Sequence, residues 1–251
     1  NQQKAKATEL LVDVYQREQD WHKALEVGSA TNVSASVDLA QRLSHFCCEL
    51  AEEALQASQQ QECLGYLKRA KRHNADNPRV SFLRAQLSMQ QDNYRDAKRH
   101  LLTMAQQDDQ LVPEIIQPLH LCFSKLGDVD GWRAWLSQAM AQHPSTSLLL
   151  AQAHEIGQQN DSEAAAYLTE NLRQRPSLKG FNYLIDLHMQ WASENAKDSL
   201  HVLKGLTVAL QRSKPHYRCR QCGFAGNSMH WQCPSCHQWG TTKPIYGLEG
   251  E

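Results

Sequence analysis

The chain has 251 residues, a formal charge of −1 and 41% hydrophobic residues, enough for one large domain or an extended array carrying a small module. The near-neutral balance carries no global polyanion-binding signature, and no apolar run approaches the roughly 18 residues of a membrane span or the layout of a signal peptide. The first residue is Asn1, so the sequence reads as a fragment of a longer protein, with any membrane anchor expected upstream.

Residues 1 to 212 are dominated by Ala, Leu, Gln, Glu, Lys and Arg, with sparse Gly and Pro between periodic stretches, which predicts helix almost throughout. A loose repeat runs through them. Trp21, Tyr94, Val129 and Asp161 follow similar turn sequences, the last three at intervals of 35 and 32 residues, with an intermediate turn near Gln59–Gln61. Pro78, Pro113, Pro144 and Pro176 recur at 35, 31 and 32 residues, where the chain must stop and reverse. Period and pattern resemble the tetratricopeptide family, a helix-turn-helix unit of ~34 residues that stacks into a solenoid with a concave groove for a peptide or partner helix. The expectation is five to six helical pairs over 1–212. Leu10, Leu11, Val14 and Tyr15 should form the apolar face of the first helix, and Ala24, Gly65, Ala97 and Ala164 should be the small residues that let helices approach. Cys47, Cys48, Cys63 and Cys122 lie in apolar helical patterns and read as buried small hydrophobes in a reducing compartment.

The adjacent pairs Glu52-Glu53 and Asp108-Asp109 cannot face one another on a helix and read as solvated charges. The chain contains no phosphate-cradling Gly-rich loop, no His-Glu-x-x-His and no nucleophile elbow. No enzymatic activity is expected. The basic run Lys68–His73 fits a helix C-terminus, where cations complement the dipole.

Residues 213–251 differ in kind. Cys219-x-x-Cys222 is followed ten residues later by Cys233-x-x-Cys236. Two such pairs supply four thiolates from two tight turns and close a tetrahedron around one metal ion, with no open position for water or substrate. Iron and zinc both suit four sulfurs. His216, His230 and His237 read as packed or solvated rather than as ligands. Tyr217, Phe224, Trp231, Trp239 and Tyr246 are expected to form a minor core and to pack on the last solenoid helices. Between Ser199 and Leu248 there is no Asp or Glu, against Lys204, Arg212, Lys214, Arg218, Arg220 and Lys243. That local excess of cations suits an acidic protein surface, anionic lipid or nucleic acid.

The knuckles Cys219-Arg-Gln-Cys222-Gly223 and Cys233-Pro-Ser-Cys236 resemble those of rubredoxins, although the intervening loop is shorter and His237 stands where a second Gly is usual, which argues against electron transfer. Tetratricopeptide-like repeats followed directly by such knuckles resemble the lipopolysaccharide assembly protein B family. The overall expectation is an all-α, tetratricopeptide-like helical solenoid (residues 1–212) with a small C-terminal four-cysteine rubredoxin-like or zinc-ribbon module (residues 213–251). The resemblance implies a non-enzymatic adaptor on the cytoplasmic side of the inner membrane. It implies that the adaptor promotes proteolysis of an LpxC-like deacetylase by an FtsH-like membrane protease and is opposed by a YejM-like inner-membrane regulator. It places the metal on Cys219, Cys222, Cys233 and Cys236. The cationic module could also touch anionic lipid. The competing expectation is a nucleic-acid-binding protein using the basic four-cysteine ribbon, which the absence of a long basic stripe disfavours.

Overall fold

A computed structural model describes residues 2–30, 36–248 and 250. The chain forms two compact units, Asn1–Asp108 and Asp109–Glu251. Among the described residues no helix is long and apolar enough to cross a membrane.

The first unit contains α1 (Gln2–Glu18), α2 (Trp21–Ser29), α3 (Val37–Gln56), α4 (Gln60–His73), α5 (Pro78–Gln90) and α6 (Tyr94–Gln107). The chain reverses within each pair through a short turn, capped by a side chain at α2 and α6, while Gln59 before α4 makes no side-chain capping bond. Asp20 accepts from the Lys23 N–H and Asn93 from the Asp96 N–H, each satisfying one orphan donor of the helix start. The residue before the cap is left-handed, with φ of 58° at Gln19, 60° at Ser58 and 54° at Asp92. The second unit repeats the device with Gly127, φ 66°, before the cap Asp128. The fourth residue of the second helix is buried in five of the pairs, Ala24, Cys63, Ala97, Trp132 and Ala164, whereas α12 buries none. Cys63 therefore fills the place expected for Gly65, which is exposed.

Two expectations need correction here. Leu10, Leu11 and Val14 are 58%, 48% and 48% exposed, while Thr8, Val12 and Gln16 are buried. The buried row is held in place by α3, whose Arg42 pairs with Asp13 (2.6 Å) and donates to Gln16 Oε1 (3.1 Å). Glu52 is not a solvated charge either. Buried Arg79, at the start of α5, forks to Glu49 (2.6 Å) and Glu52 (2.5 Å) on α3. In the second unit Asp109 lies 3.1 Å from His143.

The second unit contains a short 3-10 turn (Asp109–Leu111), α7 (Val112–Leu126), α8 (Val129–Gln142), α9 (Thr146–Gly157), α10 (Asp161–Gln174), α11 (Leu178–Trp191) and α12 (Glu194–Arg212). Contacts run from each helix to the next and from α7 to α9 to α11, the pattern of stacked helical pairs. Leu149, Ala153, Ala164, Leu168, Leu172 and Leu187 form a continuous core through α9, α10 and α11. Three short strands follow: β1 (Tyr217–Cys219), β2 (Ala225–Gly226) and β3 (Thr242–Pro244), an antiparallel sheet in the order β2-β1-β3. The molecule is thus a tetratricopeptide-like helical repeat protein with a C-terminal four-cysteine rubredoxin-like module.

The module meets the start of α11, one of the last helices on which the sequence leads us to expect some of its residues to pack. It reaches back along the turns between repeats. Tyr217 Oη donates to Glu114 Oε1 on α7 (2.7 Å) and Tyr246 Oη to the Gln110 carbonyl (3.3 Å). The Leu178 N–H at the start of α11 donates to the Leu248 carbonyl (2.9 Å). Tyr246 and Leu248 also line a cavity with Pro144, Leu149 and Arg175.

Candidate metal centre

Each Cys-x-x-Cys is built on a turn that closes on itself. In the first, the Gly223 N–H donates to the Cys219 carbonyl (3.0 Å) and the Cys219 N–H to the Phe224 carbonyl (2.7 Å). In the second, His237 N–H donates to the Cys233 carbonyl (2.9 Å) and Cys233 N–H to the Gln238 carbonyl (2.9 Å). The two turns are near copies. Gly223 has φ 79°, and His237 takes the same left-handed conformation at φ 58°, despite the steric cost of its Cβ. The departure from glycine noted in the sequence has therefore not changed the knuckle.

The four sulfurs of Cys219, Cys222, Cys233 and Cys236 lie within 4.8 Å of one another, and no histidine joins them among the described residues. Cys219 Sγ is 3.7 Å from Cys236 Sγ, and Cys222 Sγ is 3.6 Å from Cys233 Sγ. A tetrahedron with metal–sulfur bonds of about 2.3 Å has edges of about 3.8 Å. The sulfur spacing fits one four-coordinate ion, and the cluster is consistent with a metal site in a rubredoxin-like domain.

The electrostatics favour thiolates at the first knuckle. Burial pushes the Cys219 thiol up, but the Thr241 hydroxyl, 3.2 Å from its sulfur, and the N–H groups of Cys222 and Gln221 outweigh it and bring it down to about 6. The Phe224 N–H lowers Cys222. Cys236 is pushed up to about 12, by burial first and then by the sulfurs beside it. Four sulfurs this close cannot all carry charge without a cation, and a divalent or trivalent ion removes that conflict. Thr241 was not singled out by sequence. It lies outside both Cys-x-x-Cys motifs, and only the fold carries it to Cys219.

The aromatic residues divide as their positions require. Trp239 is buried at 5% exposure, Tyr217 and Tyr246 carry the docking bonds, and Phe224 meets His230 edge to face with centroids 6.5 Å apart. Of the six cations counted in the sequence, Lys204 is turned inward to pair with Asp186 on α11, while Arg212, Arg218 and Arg220 are exposed. A second feature lies among the helices. α7, α9 and α11 line a cavity of ≈ 510 Å³ with Ile116, Leu150 and Tyr183 on its walls. Glu155, only 8% exposed, borders it, with His120 Nε2 and Arg133 Nε each 3.6 Å from its carboxylate.

The sequence profile of a family described as "Rubredoxin metal binding domain" matches residues 217–244, from the first residue of β1 to the last of β3. Over 246 residues the chain is 33% identical to "Lipopolysaccharide assembly protein B" of Escherichia coli (strain K12), covering 97% of this chain and 63% of that protein. The chain is a homologue of lipopolysaccharide assembly protein B. The protein of the same name from Haemophilus influenzae is 26% identical over 245 residues, 97% of this chain and 62% of that one. The chain therefore spans less than two thirds of the length of these lipopolysaccharide assembly protein B relatives. A solved structure titled "Functional Characterization of Pseudomonas Aeruginosa pilF" is similar at a TM-score of 0.46 and 15% identity, over 84% of this chain and 92% of that one, a level at which the likeness carries no argument.

Proposed function

We propose that this chain is a non-enzymatic adaptor that regulates lipopolysaccharide synthesis, with one iron or zinc ion held by Cys219, Cys222, Cys233 and Cys236. The observation that carries the reading is the four-sulfur cluster built into a module tied to the inter-repeat turns, in a homologue of lipopolysaccharide assembly protein B. A closed four-sulfur shell leaves no coordination position for a substrate, so the ion stabilises the module's fold. In that role Cys219 and Cys222 bind as thiolates prepared by Thr241 and the turn N–H groups, and Cys233 and Cys236 complete the shell.

The finer mechanism is the one the family resemblance implies. The adaptor brings an LpxC-like deacetylase to an FtsH-like membrane protease and so raises the substrate's local concentration there. A YejM-like inner-membrane regulator opposes it at the cytoplasmic side of the membrane. The cavity among α7, α9 and α11 suits an apolar side chain of a partner segment, with Glu155 available to accept a hydrogen bond. The test is the lifetime of the deacetylase in cells carrying the wild-type protein, a Cys219→Ser/Cys222→Ser variant at equal expression, or a deletion. A short lifetime with wild type alone supports adaptor and metal module together. Equal lifetimes in all three strains would sink the adaptor reading, and turnover unimpaired in the variant would remove the metal from the mechanism.

A further inference from the structure

Helix α12 is amphipathic the wrong way round for a helix that ends a stack. It has no buried residue. The face it turns to α11 is held by polar groups: Asn182 Nδ2 donates to Gln211 Oε1 (2.7 Å), the Thr207 hydroxyl donates to Asn182 Oδ1, and Lys204 pairs with Asp186. The opposite face is apolar, with Val202 66%, Leu206 65%, Leu203 48% and Leu210 49% exposed. A terminal repeat ordinarily presents a polar outer face. An apolar one on a soluble surface marks a site of association.

The pattern along the helix says what fits it. Positions 199, 202, 206, 209 and 213 fall on one seam at alternating intervals of three and four, with Leu203 and Leu210 beside it. On the other flank Asp198, Gly205 and Arg212 follow at intervals of seven. Neither Asp198 nor Arg212 makes an ion pair among the described residues, and a Cβ added at Gly205 would meet nothing within 4 Å. Two copies of this helix laid antiparallel about a two-fold axis at Gly205 bring Asp198 of each copy to Arg212 of the other. The same arrangement stacks Val202 on Leu206 twice and sets Leu203 against Leu203, while the missing side chain at Gly205 admits close approach. A parallel pair would leave both charges opposite leucines. An anionic membrane would repel Asp198 at the edge of the stripe, and Lys204 is turned away from it.

We propose that α12 is a self-association surface through which two copies of the chain pair antiparallel, an isologous contact in which the same patch serves both sides. The stripe is short beside a standard interface of about 1,600 Å², so the dimer is weak, with dissociation in the range of about 1–50 µM.

Sedimentation equilibrium of the chain from about 1 to 200 µM, a range bracketing that affinity, should show a monomer–dimer equilibrium. Leu206→Glu, at an exposed position, should be monomeric throughout with unchanged helicity. Asp198→Arg and Arg212→Asp should each weaken self-association about tenfold. An equimolar mixture of those two single variants should form a heterodimer at least as tight as wild type, because every flank contact is then opposite in sign. A monomer at all concentrations, a dimer indifferent to Leu206→Glu, or a mixture no tighter than the single variants would each overturn the proposal. So would a monomer that binds anionic vesicles through Leu206, which would hand the stripe to a membrane.

Discussion

Arg79 has the largest side chain among the fully buried residues, at 2% exposure, and its charge is tolerable only because two carboxylates on α3 share it. Arg79→Ala would leave Glu49 and Glu52 facing each other across a gap, and a loss of about 3–5 kcal/mol is expected in urea denaturation. Arg79→Met, which fills the space, should do less damage than Arg79→Ala if packing matters. Thiols divide as sharply by environment. Burial pushes Cys47 and Cys63 up to about 11 and Cys48 to about 12, so at pH 8 roughly one in a thousand or fewer is a thiolate. Iodoacetamide at that pH should leave these three unmodified in the native protein and alkylate them once it is denatured. At the metal centre, Thr241→Val removes the hydroxyl from Cys219 Sγ while keeping shape. Metal affinity should fall about tenfold or more in a competition titration with a chromophoric chelator, and no change would remove Thr241 from the site.

Four of the helical pairs close through a turn whose residue before the cap is left-handed, and three of those residues, Gln19, Ser58 and Asp92, are not glycine. Each holds a conformation that costs an L-residue about 1–2 kcal/mol. Ser58→Gly should therefore raise the thermal midpoint, whereas Gly127→Ala should lower it by the equivalent of about 1 kcal/mol. Differential scanning calorimetry of the pair of variants checks both signs at once. These turns also explain what could be read from sequence. Trp21, Tyr94, Val129 and Asp161 are the first residues of α2, α6, α8 and α10, because caps and turns are local chemistry that neighbours in sequence dictate. Which face of α1 is buried was misread, since Arg42, 29 residues on from Asp13, decides it. The place assigned to Gly65 went to Cys63 because the repeat is registered by burial depth rather than by residue size alone. The cysteine cluster could be read because Cys-x-x-Cys carries its own turn. Thr241, the left-handed His237 and the partners of the docking tyrosines, Glu114 and Gln110, could not, because each depends on contacts the sequence does not order.

The C-terminal module is too small to fold on apolar burial alone, so its order should depend on the ion. Removing the metal with a chelator should expose the cluster's four thiols to labelling and open the segment around Lys214–His216 to proteolysis. Helicity in the first unit should persist. Tyr217→Phe with Tyr246→Phe should reproduce part of this loosening with the metal still bound, since it deletes the bonds to Glu114 and Gln110. Hydrogen exchange in α7 is the readout: protection lost at its N-terminal turn supports a clamp, and unchanged protection means that the module rides on the array without steadying it.

The same two tyrosines impose an order of events on biosynthesis. Their partners lie 103 and 136 residues upstream, so a ribosome has released α7 long before the groups that tie it down have been made. The repeats can nucleate locally as they emerge, whereas the edge formed by their connecting turns waits for the four-cysteine module to be made and for an ion. A nascent chain stalled or truncated before Cys233 is a helical body with an unsealed margin, and metal supply becomes a late checkpoint of its maturation.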